Sequence, residues 1–378
     1  MSYRIASFNI QKFSRSTCSK KDLDMIAKII RDNSIDIIAI QEILNKEALK
    51  LLIEKIDYQY AAEDRLKSSS KSYLGIGTDT YTRELVGYRT KHWEGRWATP
   101  RSKYGDTIAE GYAFIWNRNR IKLVTGYDNE VYEPQIDTLA GKCNLVRPPF
   151  VGRFMPVNSR YEFRLINTHI VFSAKAQEEQ REEELMAQDE SSLERRKNEL
   201  LTLLERVYIG VADKVYDVNR QHPNARPLSS YTFLLGDYNL NLPMSSTNHS
   251  KMTGLDVYTD VNRKHEIITV NKELTTLKQT PSDPQKAELL KRNPNPIDHL
   301  ANNYDHFSYD IKKLIDHQLN TPTVTVIDAF SLYKNRNDSN DCHAEYELYR
   351  QKISDHLPIL LEIDIQKGKS TRRTAFDE

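Results

Sequence analysis

The chain has 378 residues, 54 Lys+Arg against 53 Asp+Glu for a formal net charge of +1, 39% hydrophobic residues and 28% charged ones. This balance excludes a disordered chain, and it excludes a whole-protein basic field, so any nucleic-acid contact must come from local patches. Cys18, Cys143 and Cys342 are odd in number and far apart, which argues against a disulfide framework or zinc knuckle and fits a reducing compartment better.

Tyr3–Ile10 reads as a strand, and Leu23, Ile26, Ala27 and Ile30 then recur at helical spacing. Ile35–Gln41 is a nearly continuous apolar run, as in a strand buried on both faces. Leu49, Leu52, Ile53 and Ile56 mark a second helix, so the chain opens with a βαβα unit and a parallel strand pair. Gly111–Trp116, Ile121–Thr125, Val151–Val157 and Tyr161–Ile170 read as short strands, the last two joined across Asn158-Ser159 in a hairpin. Gln177 to about Val218 reads as an amphipathic helix, with Leu193, Leu200, Leu203, Leu204, Val207 and Val211 on its apolar face. Tyr231–Leu235, Tyr304–Tyr309, Thr323–Ala329 and Leu357–Ile365 are further strands.

No linker rich in Pro, Gly or Ser divides the chain. The expectation is one domain over 1–365, with inserts near 64–108 and 240–303 and a polar tail over 366–378. No apolar stretch approaches the roughly 18–20 residues that span a bilayer, and no signal-peptide pattern opens the sequence. A cytoplasmic protein with no membrane partner is therefore expected; the oligomeric state is left open.

Five short pieces place polar groups at the C-terminal ends of apolar strands, where ligands bind in α/β sheets. They are Ser7-Phe8-Asn9, Ile40-Gln41-Glu42, Asn167-Thr168-His169, Gly236-Asp237-Tyr238-Asn239 and Ser354-Asp355-His356-Leu357-Pro358. Singly, each fits a turn, a cap or a satisfied core histidine. Together, Asn9, Glu42, Asp237, Asn239 and Asp355 offer oxygen donors and no thiolate, a set suited to Mg²⁺ or Mn²⁺. A hard cation flanked by two histidines suits phosphate-ester cleavage by activated water.

The order and form of these pieces resemble the endonuclease/exonuclease/phosphatase superfamily, which includes deoxyribonuclease I. The resemblance runs from Asn9 to Pro358, and Glu110-Gly111-Tyr112, Arg147-Pro148-Pro149-Phe150 and Tyr304-Asp305-His306-Phe307 extend it. It implies a four-layer α/β sandwich of two facing mixed β-sheets with outer helices. It also implies Glu42 as principal metal ligand, helped by Asn9 and Asp355. By the same resemblance Asp237 and Asn239 orient water and phosphate. His356 contacts the scissile phosphate with Asp305 fixing its ring, and His169 is the matching group on the leaving side, oriented by Glu110. Arg147 becomes a phosphate or supporting contact, while His306 is positional. His92, His222, His249, His265, His299, His317 and His343 lie in polar segments and read as surface residues.

Substrate is less legible. Tyr88–Tyr104 interleaves basic and aromatic residues directly before Glu110, so Arg96, Trp97 and Arg101 are candidates to grip and stack a polynucleotide. A Trp-anchored loop with solvated charges is the bland alternative. Glu42-Ile43-Leu44 lacks the basic residue that minor-groove-binding relatives carry after the glutamate. A nuclease acting on DNA or RNA is the leading expectation. The alternatives are a phosphoesterase for a small phosphorylated molecule or lipid headgroup, and a catalytically inactive binding module.

Overall fold

Two parallel strand pairs, one at the centre of each of two β-sheets, organise the computed structural model of the chain. The structure describes residues 1–60, 72–76, 82–100, 110–125, 131–137, 145–157, 159, 161–170, 192–214, 229–242, 256–278, 283–291, 296–317, 319–337 and 342–365.

The first sheet runs β15 (Thr323–Val326), β16 (Ile359–Asp364), β1 (Ser2–Phe13), β2 (Ile37–Ile43), β6 (Gly111–Asn117), β5 (Trp93–Pro100), β4 (Thr82–Arg89) and β3 (Ser72–Ile76). The second runs β12 (Val257–Thr259), β13 (Glu266–Val270), β14 (Asp305–Asp310), β11 (Ser229–Asp237), β10 (Tyr161–His169), β9 (Phe150–Pro156) and β7 (Ile121–Leu123), with β8 (Gln135–Ile136) also on β9. Both sheets are mixed, because β1 pairs β2 and β10 pairs β11 in parallel while their neighbours are antiparallel. A parallel pair needs a crossover between its strands. The helix Leu23–Asp32 supplies it for β1 and β2, and a helical segment within Ser192–Asp213 lies between β10 and β11.

Side-chain alternation builds four layers. In β2, Ile37 and Ala39 face the second sheet, while Ile38, Ile40 and Ile43 face outward under helices Leu23–Asp32 and Lys46–Tyr60. Such a strand has no solvent face, which explains its unbroken apolar run. The central layer joins Ile5, Ile37 and Phe114 to Phe163, Phe233, Leu235 and Phe307 of the opposite sheet. On the far side, Leu200, Leu203, Leu204 and Val207 pack onto Ile166 and Leu234. That helix is amphipathic as its pattern predicts, although Leu203–Tyr208 takes a π-helical turn. Residues 177–191 and 215–218 of the expected helix lie outside the described residues, as does the tail 366–378.

The largest departure from the sequence expectation is residues 88–100. These residues do not form a loop bordering the cleft; they build β4 and β5 in the first sheet. Every residue of β5 is buried, because charged side chains there pair inside the layer. Arg96 meets Glu94 and Glu133, and Arg89 meets the same Glu94. Alternating aromatic and basic residues marked a covered strand here.

Two histidines expected at the surface are also buried. His265 is fully enclosed between Asp310, 2.7 Å from its Nδ1, and Asp213, 3.2 Å from its Nε2. His299 stacks on Tyr346 with ring centroids 4.1 Å apart. Carboxylates in one case and an aromatic ring in the other make these polar segments interior ones. His222 and His249 lie outside the described residues, and His343 falls in helix Cys342–Lys352.

Candidate active site

The C-terminal ends of the two parallel pairs face each other across the sandwich, and five of the expected residues arrive there on strands. β1 delivers Asn9, β2 Glu42, β10 His169 and β11 Asp237, while β14 begins at Asp305 and the turn before β6 holds Glu110. The turns after β11 and before β16 bring Asn239, Asp355 and His356.

Side-chain bonds tie the ends together. Asn9 Nδ2 donates to Glu42 Oε1 at 2.9 Å and to Asp237 Oδ2 at 3.1 Å, so one amide spans both sheets. Deeper in, Gln41 Nε2 donates to Asn167 Oδ1 at 2.7 Å, and Asn167 Nδ2 donates to the carbonyls of Ile40 and Ala113. These amides are fully buried, and a buried polar network of this kind fixes one arrangement of its members. Asn239 donates through Nδ2 to Ile170 O, and its backbone N–H donates to Asp237 Oδ1 at 2.9 Å.

Backbone strain gathers at the same edge. Among the described residues, seven non-glycine residues have positive φ, and Gln11, Lys12, Glu42 and Asn239 are four of them. Each such residue costs on the order of 1–3 kcal/mol, so their concentration where the motifs converge marks a functional demand. Gly236 has φ +144°, and a Cβ there would sit 1.9 Å from Thr168 O. Glycine alone allows β11 to run this close to β10 immediately before Asp237.

The histidines have unlike surroundings. His356 Nδ1 donates to Asp305 Oδ2 at 2.8 Å, and its Nε2 lies 3.5 Å from Asp237 Oδ2. Burial would push the imidazole toward neutrality, but the charges of Asp305 and Asp237 overcome it and raise its pKa well above the ordinary value. His169 Nε2 reaches the same Asp237 oxygen at 3.7 Å, and its Nδ1 lies 3.4 Å from Glu110 Oε2. Burial and the adjacent Arg147 guanidinium lower the affinity of His169 for a proton, yet Glu110 and Asp237 outweigh them and its pKa rises. Arg147 Nη2 is 2.9 Å from Glu110 Oε2, and its Nη1 is 3.1 Å from His169 Nδ1. Burial alone would raise the Glu110 carboxyl, but Arg147 and His169 hold it down to about 2. Asp237, shared by both rings, is raised chiefly by its own burial.

The oxygen donors fit a hard divalent cation. Glu42 and Asp355 are partly exposed carboxylates. Lys12 N donates to Glu42 Oε2 at 2.8 Å, Gln11 Nε2 to Asp355 Oδ2 at 2.9 Å, and Gln11 N to Asn9 Oδ1 at 3.0 Å. Each oxygen is oriented by one donor and keeps a lone pair, with no sulfur in the set. Asp237, Asp305 and His356 form a second compact group, with ligand atoms within 4.8 Å of one another. Asp305 Oδ1 in it has no hydrogen-bond donor among the described residues. Because His356 and Asp305 already bond each other, Glu42, Asn9 and Asp355 are the better-suited cation ligands.

The substrate-binding candidates are not brought to this edge. Arg96 is 1% exposed, and Trp97, 3% exposed, donates from its indole N–H to Ile43 O at 2.9 Å. Both serve the sheet beneath the site, which corrects the expectation that they touch substrate. Arg101 lies outside the described residues. Conversely, Gln11, Lys12, Lys21 and Arg196 adjoin the site although none was among the expected residues. Lys21 is half-buried, and that burial draws its amine down to about 8 although Asp355 and Glu42 pull the other way. Arg196 donates to Asn239 O at 2.5 Å. Gln11 and Lys12 lie within two or three residues of Asn9, a proximity that could have flagged them; nothing in sequence connects Arg196 to Asn239.

Paired buried histidines beside oriented carboxylates lie at the edge of the two-sheet sandwich, an arrangement suited to phosphoester hydrolysis. Residues 6–356 match the Endonuclease/Exonuclease/phosphatase family, and the chain belongs to it. Members of this family generally depend on a divalent metal. The chain is similar to an endonuclease/exonuclease/phosphatase family protein from Bacteroides thetaiotaomicron, at 13% identity and TM-score 0.42, over 97% of this chain and 99% of the other. It is similar to D. rerio TDP2, solved with a single strand DNA product, at 12% identity and TM-score 0.43, over 96% and 99% of the two chains. A mannosyl-6-phosphatase from Bacteroides thetaiotaomicron is similar at 13% identity and TM-score 0.43, over 96% and 100%. No curated protein matches the chain in sequence.

Proposed function

We propose that the chain is a divalent-metal-dependent phosphodiesterase, that Mg²⁺ or Mn²⁺ is its metal, and that a nucleic acid, DNA or RNA, is its substrate. One observation carries the hydrolytic reading: Asp237 Oδ2 lies 3.5 Å from His356 Nε2 and 3.7 Å from His169 Nε2, and each ring is backed by a further carboxylate. A bound cation would lower the pKa of a coordinated water and neutralise charge on the phosphate. Glu42, Asn9 and Asp355 would hold it. Asp305 keeps the proton of His356 at Nδ1 and leaves Nε2 toward the phosphate side. His169, whose hold on a proton Glu110 and Asp237 strengthen, donates to the leaving oxygen, and Asn239 is held by Asp237 and Arg196 to orient the substrate.

Support for a polyanionic substrate comes from cations around the edge: Lys12, Lys21, Arg147 and Arg196 belong to three separate chain segments. The burial of Arg96 and Trp97 favours the second reading, a small phosphoester, because it removes the stacking surface on which sequence alone relied. Among the described residues no helix is long and apolar enough to cross a membrane. We further propose a cytoplasmic location and a single domain spanning 1–365.

Purified chain with Mg²⁺ or Mn²⁺ should cleave plasmid, single-stranded DNA or RNA as well as a small chromogenic diester. Turnover of inositol or sugar phosphates without polynucleotide cleavage would transfer the assignment to the small-molecule reading. Inertness toward every phosphoester would remove the enzymatic one.

A further inference from the structure

We propose that Gln11 is a positioning residue of the metal site, holding Asp355 through its side-chain amide and Asn9 through its backbone N–H. The proposal rests on the metal-dependent reading above and adds to it a residue outside the expected ligand set.

The local geometry is unusual in a way that ordinary strand pairing does not require. β1 and β2 keep one register up to Asn9 and Gln41, then shift before Phe13 and Ile43, a bulge in β1. Within it Gln11 has φ +36° and Lys12 φ +48°. Glycine adopts such angles with least strain, so two long side chains there call for a reason. The left-handed pair turns consecutive N–H groups away from the ladder and onto candidate ligands. Gln11 N donates to Asn9 Oδ1 at 3.0 Å, and Lys12 N donates to Glu42 Oε2 at 2.8 Å. The Gln11 side chain completes the set by donating to Asp355 Oδ2 at 2.9 Å, across 344 positions of sequence. One bulge therefore orients all three oxygen donors.

The chemistry of the side chain fits this task. A lysine or arginine at position 11 would pair with Asp355 and compete with a cation for its charge. A glutamate would repel Asp355 before the metal arrived. A neutral amide fixes one carboxylate oxygen and leaves the negative charge for the ion. Without the Gln11 donor, Asp355 would rotate freely in its partly exposed position, and the ion would have to order it on binding.

Mn²⁺ affinity of the full-length protein, measured by the electron paramagnetic resonance signal of the free ion, tests the assignment independently of turnover. Gln11→Gly removes the amide while favouring the left-handed backbone, and Gln11→Met removes the donor while keeping the bulk. Each should weaken Mn²⁺ binding about 10–100-fold, as loss of a residue supporting a metal ligand does. In an Asp355→Asn background, Gln11→Met should change affinity less than about threefold, because the partner whose orientation matters has gone. Far-ultraviolet circular dichroism of the metal-free variants should match that of the parent. Wild-type affinity in either single variant, or a full loss that persists in the Asp355→Asn background, would overturn the positioning role. If the parent binds no Mn²⁺, or binds it equally after Glu42→Gln, the metal reading falls and takes this role with it.

Discussion

Asp305 and His356 form a buried pair in which Oδ2 of the first lies 2.8 Å from Nδ1 of the second. The contact sets which ring nitrogen carries its proton and adds to the positive charge the ring can bear. Asp305→Asn retains the shape and removes that charge. Turnover of a small diester should fall by about 10²–10⁴-fold, roughly 3–5 kcal/mol of barrier, with little change in KM. Steady-state kinetics check this, and an unchanged kcat would deny His356 its acid–base role.

Chelation should abolish turnover, and Mg²⁺ or Mn²⁺ should restore it, because the proposed ligands are oxygens. Glu42→Ala should lose about 10²-fold or more of metal-dependent activity and resist rescue at ordinary metal concentrations. Full activity in EDTA would be incompatible with the mechanism.

Glu162 is almost fully buried between Arg153 and Arg164, both on its carboxylate. Burial would raise its pKa, but the two guanidinium groups hold it below the ordinary range. A depressed carboxylate contributes stability that is fully present above its unfolded pKa of about 4.3 and is lost as pH falls through the folded value. Glu162→Gln leaves two buried cations without their counter-charge and should cost about 3–5 kcal/mol at pH 7. Thermal unfolding from pH 7 to pH 3 should show the parent losing its advantage over the variant only below about pH 4. A gap independent of pH would mean that packing, not charge, sets the cost.

Replacing Gly236 by alanine drives a Cβ to 1.9 Å from Thr168 O at a backbone angle unsuited to alanine. The variant should lose roughly 2–3 kcal/mol of stability, and activity should suffer further because Asp237 is the next residue. Urea denaturation at constant m-value measures the first effect. Wild-type stability would show that β11 has room to shift.

Trp97→Ala separates two accounts of the basic-aromatic segment. A substrate-gripping tryptophan would cost nucleic-acid cleavage while sparing a small diester. Its buried position under Ile43 implies instead a loss of about 3–5 kcal/mol of stability and equal decline on both substrates. Selective loss on polynucleotide in a normally stable variant would return the residue to the cleft.

Much of this was legible because apolar runs ended in carboxylates and histidines that no core accommodates cheaply. Glu42 after Ile37–Ile40 and Asp237 after Phe233–Leu235 announced themselves in that way. The four-layer sandwich was implied by the resemblance that these motifs carry, and the unbroken run in β2, covered on both faces, agrees with it. β5 was misread for a physical reason. Its charges are neutralised by Glu94 and by Glu133, the latter 37 positions beyond Arg96, so a buried strand carried the composition of a solvated loop. His265 was hidden likewise by Asp213 and Asp310. Gln11 drew no notice because a polar residue two places after Asn9 looks like an ordinary strand end, and only the left-handed backbone distinguishes it.

The amide pair Gln41–Asn167 at the centre of the sandwich bears on how this protein could change over time. Aliphatic layers tolerate a small slide of one sheet over the other, since dispersion contacts are individually weak and lack direction. A directional bond between two enclosed amides does not tolerate it. Half the proposed catalytic groups ride on one sheet and half on the other, so in that reading their alignment depends on this junction. An apolar substitution there could leave the molecule as robust as before, or more so, while its two half-sites drift out of step.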